Sequence, residues 1–316
     1  MPRHKTALVT GAEGFIGSHL VRFLQEKKWL VIGSYLASNN SLFSAPNVNI
    51  VQCDLRNGQR ISEVIAEYEP THIFHLGAQS LPTVSWSDPV RTFEANVMGS
   101  LYLFQAVRGM KKPATVVSAC SSAEYGHVPA SAIPVKEEQP LHPLHPYGIS
   151  KVCLDLLARE YFLDYRIPIV NLRLFNTTGP GKTEDAPSDF VRQLVRIKKG
   201  LQPPVIEVGN LKPRRAFLDV RDTVRGFYLA AMRGERGEAY NLCATSTYEM
   251  GELLRRAIGL SGVEAEVRAV DRLMRPSDEK IIFGDTRKFR KATGWQPTYS
   301  IEQTLSSMIA YWDANL

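Results

Sequence analysis

The sequence has few cysteines and no long apolar run. Four cysteines in 316 residues lie far apart and form no CxxC pair: Cys53, Cys120, Cys153 and Cys243. This spacing excludes a disulfide framework and lacks the ligand pattern of structural zinc, so we expect a reducing compartment and no metal. No stretch approaches the roughly 18 consecutive apolar residues of a transmembrane helix, and the first apolar segment carries Glu13 and three glycines, unlike a signal peptide. We therefore predict a cytoplasmic protein without a membrane partner.

Basic charge is in modest excess and is not concentrated. The 38 lysines and arginines against 32 acidic residues give a net charge of +6. The densest basic groups, 212–215 and 280–291, lack the interleaved aromatic residues of a nucleic-acid stacking surface. Dispersed positive charge fits an anionic small molecule better than a nucleic acid.

Short β-rich runs alternate with helical periodicity through the first half of the chain. With 44% hydrophobic and 22% charged residues, this pattern predicts a soluble α/β protein with a Rossmann-type, doubly wound parallel sheet. After Phe175 the pattern changes, which indicates a smaller α/β substrate-binding domain. We predict a dinucleotide-binding domain of residues 1–175 plus 222–243 and a nucleotide-sugar-binding domain of residues 176–221 plus 244–316.

A glycine-rich turn joins the first predicted strand to a helix. Gly11, Gly14 and Gly17, with Phe15 and Ile16 between them, follow the strand that ends at Thr10. Glycines in this context allow a tight turn and close approach to a pyrophosphate at a helix N-terminus. Asp54 and Leu55, after the third strand, are then expected near the adenine.

Tyr147 and Lys151 form the candidate acid/base pair. Their spacing places both side chains on one face of a helix, where a lysine beside a phenol is expected to lower the tyrosine pKa. Of the twelve tyrosines, only Tyr147 is followed by lysine four residues later.

Together these motifs resemble the extended short-chain dehydrogenase/reductase family along essentially the whole chain. The resemblance rests on the glycine turn, the Tyr147/Lys151 pair, the segment 173–181 and the strand ending in residues 118–126, and it also rests on His75, Leu76, Gly77, Ala78 and Asn96. It implies that Ser121 hydrogen-bonds the substrate oxygen beside Tyr147. It also implies that Leu76, Gly77, Ala78, Asn96, Tyr147 and Lys151 contact an NAD(P) cofactor.

The second half resembles a narrower branch that acts on GDP-linked 6-deoxy-4-keto sugars, the GDP-mannose 4,6-dehydratases and GDP-6-deoxy-4-keto-mannose (GDP-rhamnose-forming) reductases. The matching segments are 208–211, 215–222, 275–278 and 284–285. The resemblance implies substrate contacts by Ser122, Asn176, Val208, Arg215 and Arg275, the arginines holding the nucleotide pyrophosphate. Ala216 departs from the aspartate usual after Arg215.

Several readings of the site remain open. The dehydratases carry an acidic residue two before the Tyr-Gly pair, where this chain has Ala123. Glu124 is one step away, and in a strand one step points a side chain to the opposite face. We therefore expect a 4-keto reductase, with a dehydratase, an epimerase or a catalytically silent NAD(P)-binding sensor as alternatives.

Cofactor choice and assembly are predicted from fewer residues. The stretch 33–40 has no Asp or Glu to bind an adenosine ribose, and Ser34, Ser38 and Asn39 could bond a 2′-phosphate, so we predict NADPH, with NADH possible. His142 and His145 are predicted to be loop or rim residues. The stripe of Phe93, Tyr102 and Phe104 indicates helix packing or the face of a homodimer.

Overall fold

The structure is a computed structural model that describes residues 5–36, 47–274 and 281–316. Arg275, Ser38 and Asn39, which the sequence nominates for binding, lie outside these residues. The described strands are β1 (Thr6–Thr10), β2 (Leu30–Tyr35), β3 (Val48–Gln52), β4 (His72–His75), β5 (Thr115–Ser121), β6 (Ile169–Leu174), β7 (Thr177–Thr178), β8 (Val205–Val208), β9 (Arg214–Arg215), β10 (Leu218–Asp219), β11 (Ala239–Leu242), β12 (Tyr248–Glu249), β13 (Glu266–Ala269) and β14 (Ile281–Ile282).

The helices connect these strands and cover both faces of the sheet. They are α1 (Phe15–Glu26), α2 (Gly58–Tyr68), α3 (Pro82–Ser87), α4 (Pro89–Phe93), α5 (Gly99–Arg108), α6 (Pro146–Tyr165), α7 (Ala186–Lys198), α8 (Val220–Arg233), α9 (Met250–Ser261), α10 (Arg287–Thr293) and α11 (Ile301–Asn315). One turn of π-helix, Glu94–Met98, joins α4 to α5, and 3₁₀ turns occupy Ser122–Glu124, Ala130–Ala132 and Asp271–Leu273.

A seven-stranded parallel sheet confirms the predicted fold class. Its strand order is β11-β6-β5-β4-β1-β2-β3, with every neighbouring pair parallel. Apolar cores cover its two faces, as a parallel sheet between helix layers requires. The carboxyl ends of β1, β4, β5 and β6 therefore lie along one edge of the sheet.

The smaller elements form a separate apolar core. Side chains of α7, β8, α9 and α11 pack together, among them Val191, Ile206, Leu253 and Leu305. By contrast α8 and β11 pack with the large sheet, with Phe227, Tyr240 and Leu242 in its core. The division into two domains stays a prediction.

None of the described helices is long and apolar enough to cross a bilayer. All four cysteines are free thiols.

Candidate active site

The glycine turn lies between β1 and α1 at the carboxyl edge of the sheet. Gly11 has a φ of +65°, and a Cβ placed there would lie 2.8 Å from the Cα of Gly77. A Cβ at Gly17 would lie 2.1 Å from the carbonyl oxygen of Gly11. The turn therefore needs glycine at both positions. The Gly14 N–H donates to the carbonyl of Gly11 at 3.0 Å, and Phe15, Ile16 and Gly17 place the free N–H groups of a helix start at the mouth of the turn.

Hydrogen bonds hold the segment after β4 against this turn. The hydroxyl of Thr10 accepts the N–H groups of Leu76 and Gly77 at 3.1 and 2.9 Å. Asn96, in the π-helical turn, is 1% exposed and bonds both backbone groups of Gln79. Leu76, Gly77 and Ala78 thus lie beside the glycine turn, with Asn96 buried behind them, and their contacts with a cofactor stay a prediction.

A carboxylate reaches the end of β2 from the glycine turn. Glu13 Oε1 accepts the N–H of Leu36 at 2.9 Å. Sequence reasoning missed this group, because the two residues are 23 positions apart and only the fold brings them together. Ser34 is buried, and its carbonyl accepts the N–H of Ala12.

Asp54 and Leu55 follow β3 as predicted. Asp54 pairs with Arg56 at 2.6 Å, and this hydrogen bond lowers the Asp54 pKa. Leu55 is buried against Gly99.

Helix α6 presents Tyr147 and Lys151 to the end of β5. His145 caps the helix by accepting the Gly148 N–H on Nδ1 at 3.0 Å, and its ring stacks on Tyr147 with 5.9 Å between centroids. The loop position predicted for His145 holds, but its capping role was missed. Helix α6 packs against the turn that follows β5, and the Ser121 side chain lies close enough to Tyr147 to act on the pKa of its phenol.

The prediction that the Tyr147 pKa is lowered is wrong, because the side chains of this chain do not produce that shift. Burial raises the Tyr147 pKa to about 12, although the nearby Ser121 side chain lowers it in part. The Lys151 ammonium lies 5.9 Å from the Tyr147 ring centroid and donates to the carbonyl of Ala119 at 2.8 Å. Burial lowers the Lys151 pKa. The phenol is therefore held protonated, as a proton donor should be.

Glu124 does not reach the site. β5 ends at Ser121, so Glu124 lies in a 3₁₀ turn rather than in a strand, and the predicted strand alternation is wrong as a reason. The predicted outcome, a Glu124 side chain directed away from the site, nevertheless holds, because Glu124 is 0% exposed and its Oε1 accepts the Ser121 N–H at 2.7 Å. Ala123 and Ser122, by contrast, are partly exposed beside Tyr147.

The predicted substrate residues are more scattered. Asn176 is exposed just after β6, and its side chain donates to the carbonyl of Ala216 at 3.3 Å. Arg215 lies half-buried in β9 and donates to the carbonyl of Arg214. Val208 is 2% exposed in the smaller core, and its carbonyl accepts the N–H of Val270. The structure therefore does not support the predicted contact between the Val208 side chain and the substrate.

The parallel sheet, the glycine turn and the Ser–Tyr–Lys arrangement define a short-chain dehydrogenase/reductase. A model of the family described as GDP-mannose 4,6 dehydratase matches residues 8–308, and the chain belongs to this family.

Named relatives agree with this assignment. The GDP-6-deoxy-D-mannose reductase of Pseudomonas aeruginosa is 29% identical over 312 residues, which cover 98% of this chain and 97% of the relative. The structure of RMD from Pseudomonas aeruginosa complexed with NADPH is 28% identical, with a TM-score of 0.86 and coverage of 99% of this chain and 100% of that one. A UDP-glucose 4-epimerase of Thermotoga maritima, solved with UDP-glucose, is 25% identical, with a TM-score of 0.87 and coverage of 98% and 99%. The reductase and the epimerase are named for nucleotide-sugar substrates, and the chain is an NAD(P)-dependent enzyme of this kind.

Proposed function

We propose that the protein reduces the C4 ketone of a GDP-linked 6-deoxy-4-keto sugar with NAD(P)H. The observation that carries the proposal is that Ser121 and Tyr147 lie close together while Glu124 is turned into the interior, and Ala123 offers no acid/base in its place. Dehydration needs a further acid/base to remove the C5 proton and assist loss of the C6 hydroxyl. Ketone reduction needs only a hydride, a proton donor and a polarising hydroxyl. The residues present can supply the proton donor and the hydroxyl.

The chain's residues supply the proton chemistry. The reduced nicotinamide, when bound, supplies the hydride to C4. Ser121 donates a hydrogen bond to the ketone oxygen, which polarises the carbonyl. Tyr147 then gives its proton to that oxygen as negative charge develops there, and the nearby Lys151 ammonium favours the phenolate that remains.

The residues of the glycine turn fit a bound dinucleotide. Gly11 and Gly77 meet without side chains beside the start of α1, which leaves backbone N–H groups for a pyrophosphate. The proposed cofactor-binding residues are Gly11, Gly14, Phe15, Ile16, Gly17, Ser34, Asp54, Leu55, Leu76, Gly77, Ala78, Asn96, Tyr147 and Lys151. NADPH remains the proposed cofactor, supported by the NADPH complex of the Pseudomonas aeruginosa protein. Glu13 at the end of β2 supports use of NADH as well.

The nucleotide sugar is proposed to bind across both predicted domains. Residues 1–175 plus 222–243 would hold the cofactor, and residues 176–221 plus 244–316 the GDP group. Ser122 and Asn176 would contact the sugar, and Arg215 and Arg275 the diphosphate, because a guanidinium donates two hydrogen bonds at once. We further propose a homodimer in the cytoplasm. The four free thiols of the chain fit a reducing compartment.

The deciding experiment supplies two substrates to the purified protein. GDP-4-keto-6-deoxy-mannose with NADPH should give a product heavier by two hydrogens, with one NADPH consumed for each ketone lost, read by mass and proton NMR. GDP-mannose alone should stay unchanged. A product of GDP-mannose lighter by one water would make the protein a dehydratase, and an isomer of equal mass would make it an epimerase.

A further inference from the structure

A buried group of charged side chains lies directly behind Ser121 and Lys151. Glu124 is surrounded by Cys120 of β5, Asp155 of α6 and Arg173 of β6, with Lys151 and Tyr147 close enough to act on it electrostatically. All of these except Tyr147 are less than a tenth exposed. The reaction proposed above uses neither Glu124 nor Asp155.

The hydrogen bonds of Arg173 leave one oxygen of Glu124 without a donor. Arg173 Nε donates to Asp155 Oδ2 at 2.7 Å, while Glu124 Oε2 lies 3.3 Å from the same nitrogen outside hydrogen-bonding geometry. Arg173 Nη1 donates to the hydroxyl of Tyr125 and the carbonyl of Glu137. Among the described residues, Glu124 Oε2 is thus a buried oxygen with no hydrogen-bond partner.

A proton on Glu124 Oε2 would give this oxygen a hydrogen-bond partner. Burying an ionised oxygen without a hydrogen-bond donor carries a desolvation penalty that is larger than that of a neutral group. Protonated, Oε2 becomes a donor, and the Asp155 carboxylate beside it is the available acceptor. Burial, and then the charge of Asp155, raise the pKa of Glu124 well above its usual range, in agreement with this geometry.

A metal ion does not explain the cluster. The sulfur of Cys120 and carboxylate oxygens of Glu124 and Asp155 lie within 4.8 Å of one another. However, the Arg173 guanidinium already sits against both carboxyl groups and supplies the local positive charge.

We propose that Glu124 is a positioning residue, a neutral carboxylic acid that donates to Asp155 and accepts the backbone N–H of Ser121. Ser121 Oγ accepts the N–H of Ala123 in return, so the 3₁₀ turn is closed at both ends. Asp155 lies one turn after Lys151 on the buried face of α6. The Glu124–Asp155 bond therefore ties the end of β5 to the helix that carries Tyr147 and Lys151, and it fixes the distance across which Ser121 and Tyr147 meet.

The kinetic test compares E124Q, E124D and E124A in ketone reduction and therefore rests on the proposed function. A glutamine amide can donate to Asp155 and accept from Ser121, so E124Q should keep kcat within about threefold. E124D is too short to reach both partners, and E124A has neither group, so both should lose kcat by about 10- to 100-fold, the scale of a misplaced reacting group. Their KM for NADPH should change little. E137Q is the matched control, because Glu137 accepts the Asn241 N–H in the same network without touching Ser121.

The second test does not depend on any activity. Infrared difference spectra of the wild type and E124Q in H₂O and D₂O should show the carbonyl band of one protonated carboxylic acid, absent from E124Q. Thermal unfolding of each variant distinguishes a folding defect from misplacement. Absence of the band at neutral pH overturns the proposal, as does an E124D that is as active as the wild type while E124Q is inactive. If the band is present but the protein reduces no ketone, the result supports a protonated Glu124 and rejects only the proposed function.

Discussion

Thr10 and His75 join the ends of β1 and β4 through a 3.0 Å hydrogen bond between Thr10 Oγ1 and His75 Nδ1. Because Thr10 Oγ1 already accepts two backbone N–H groups, it must donate its proton to Nδ1. His75 is therefore neutral, with its hydrogen on Nε2, where it donates to Ser100 Oγ at 2.9 Å. Burial lowers the His75 pKa to about 3.

This histidine should make the fold sensitive to acid. The unfolded chain binds a proton at His75 near pH 6.5 and the folded chain only near 3, so the contribution of His75 to stability is constant above pH 6.5 and is lost as the pH drops toward 3. Burial of His72, with a pKa of about 4, acts in the same direction. H75Q, whose amide can both accept and donate, should reduce the slope of unfolding free energy against pH by up to about 1.4 kcal/mol per pH unit.

Urea unfolding at several pH values measures this slope. H127Q serves as the control, since His127 is exposed and its replacement should leave the slope as it is. An H75Q slope equal to that of the wild type would show that His75 takes up no proton on acid unfolding.

A second prediction concerns the cofactor. Glu13 places its carboxyl group at the end of β2, where we propose that the 2′-phosphate of NADPH lies. E13Q keeps an acceptor for the Leu36 N–H and removes the charge. Its affinity for NADPH relative to NADH should rise about fivefold, the effect of roughly 1 kcal/mol of charge repulsion at a hydrated surface.

Fluorescence titration with both reduced cofactors gives this ratio. E26Q, an exposed glutamate at the end of α1, is the matched control. An equal change in both affinities would place Glu13 away from the 2′ position.

A third prediction concerns the homodimer. α6 exposes Ile149, Leu156 and Leu163 at intervals of seven residues on one face, and the neighbouring Trp86 and Val90 are 65% and 68% exposed. A contiguous exposed apolar surface of this kind is typical of an interface between subunits. Phe104 of the predicted aromatic stripe is instead fully buried, so it contributes packing within the chain.

We expect the wild type to sediment as a dimer and L156E as a folded monomer. L260E changes another exposed leucine, on α9, and should stay dimeric. A monomeric wild type in analytical ultracentrifugation would rule this interface out.

The local motifs were predictable and the contacts between distant residues were not. The strand–glycine–helix turn and the Tyr147/Lys151 spacing are set by neighbouring residues, so the sequence pattern was enough to place them. The end of β5 was missed although the residues that set it are only three positions apart. Hydrogen bonds between Ser121 and Glu124 stop the strand and start a 3₁₀ turn. The Tyr147 pKa also escaped prediction, since burial and the Ala119 carbonyl that holds Lys151 come from the assembled fold.

The last prediction concerns the proton donor itself. With a pKa near 12, Tyr147 keeps its proton through the neutral range, and only the protonated phenol can donate during reduction. Loss of kcat/KM through Tyr147 should therefore not begin until the pH approaches 12, because this ratio reports the free enzyme. Y147F should lower kcat by about two orders of magnitude or more and change NADPH affinity far less than kcat, since the missing hydroxyl acts on the ketone oxygen. Y165F, at the exposed end of the same helix, should keep full turnover. Stopped-flow decay of NADPH absorbance measures both variants, and near-normal turnover in Y147F would assign proton donation to another group.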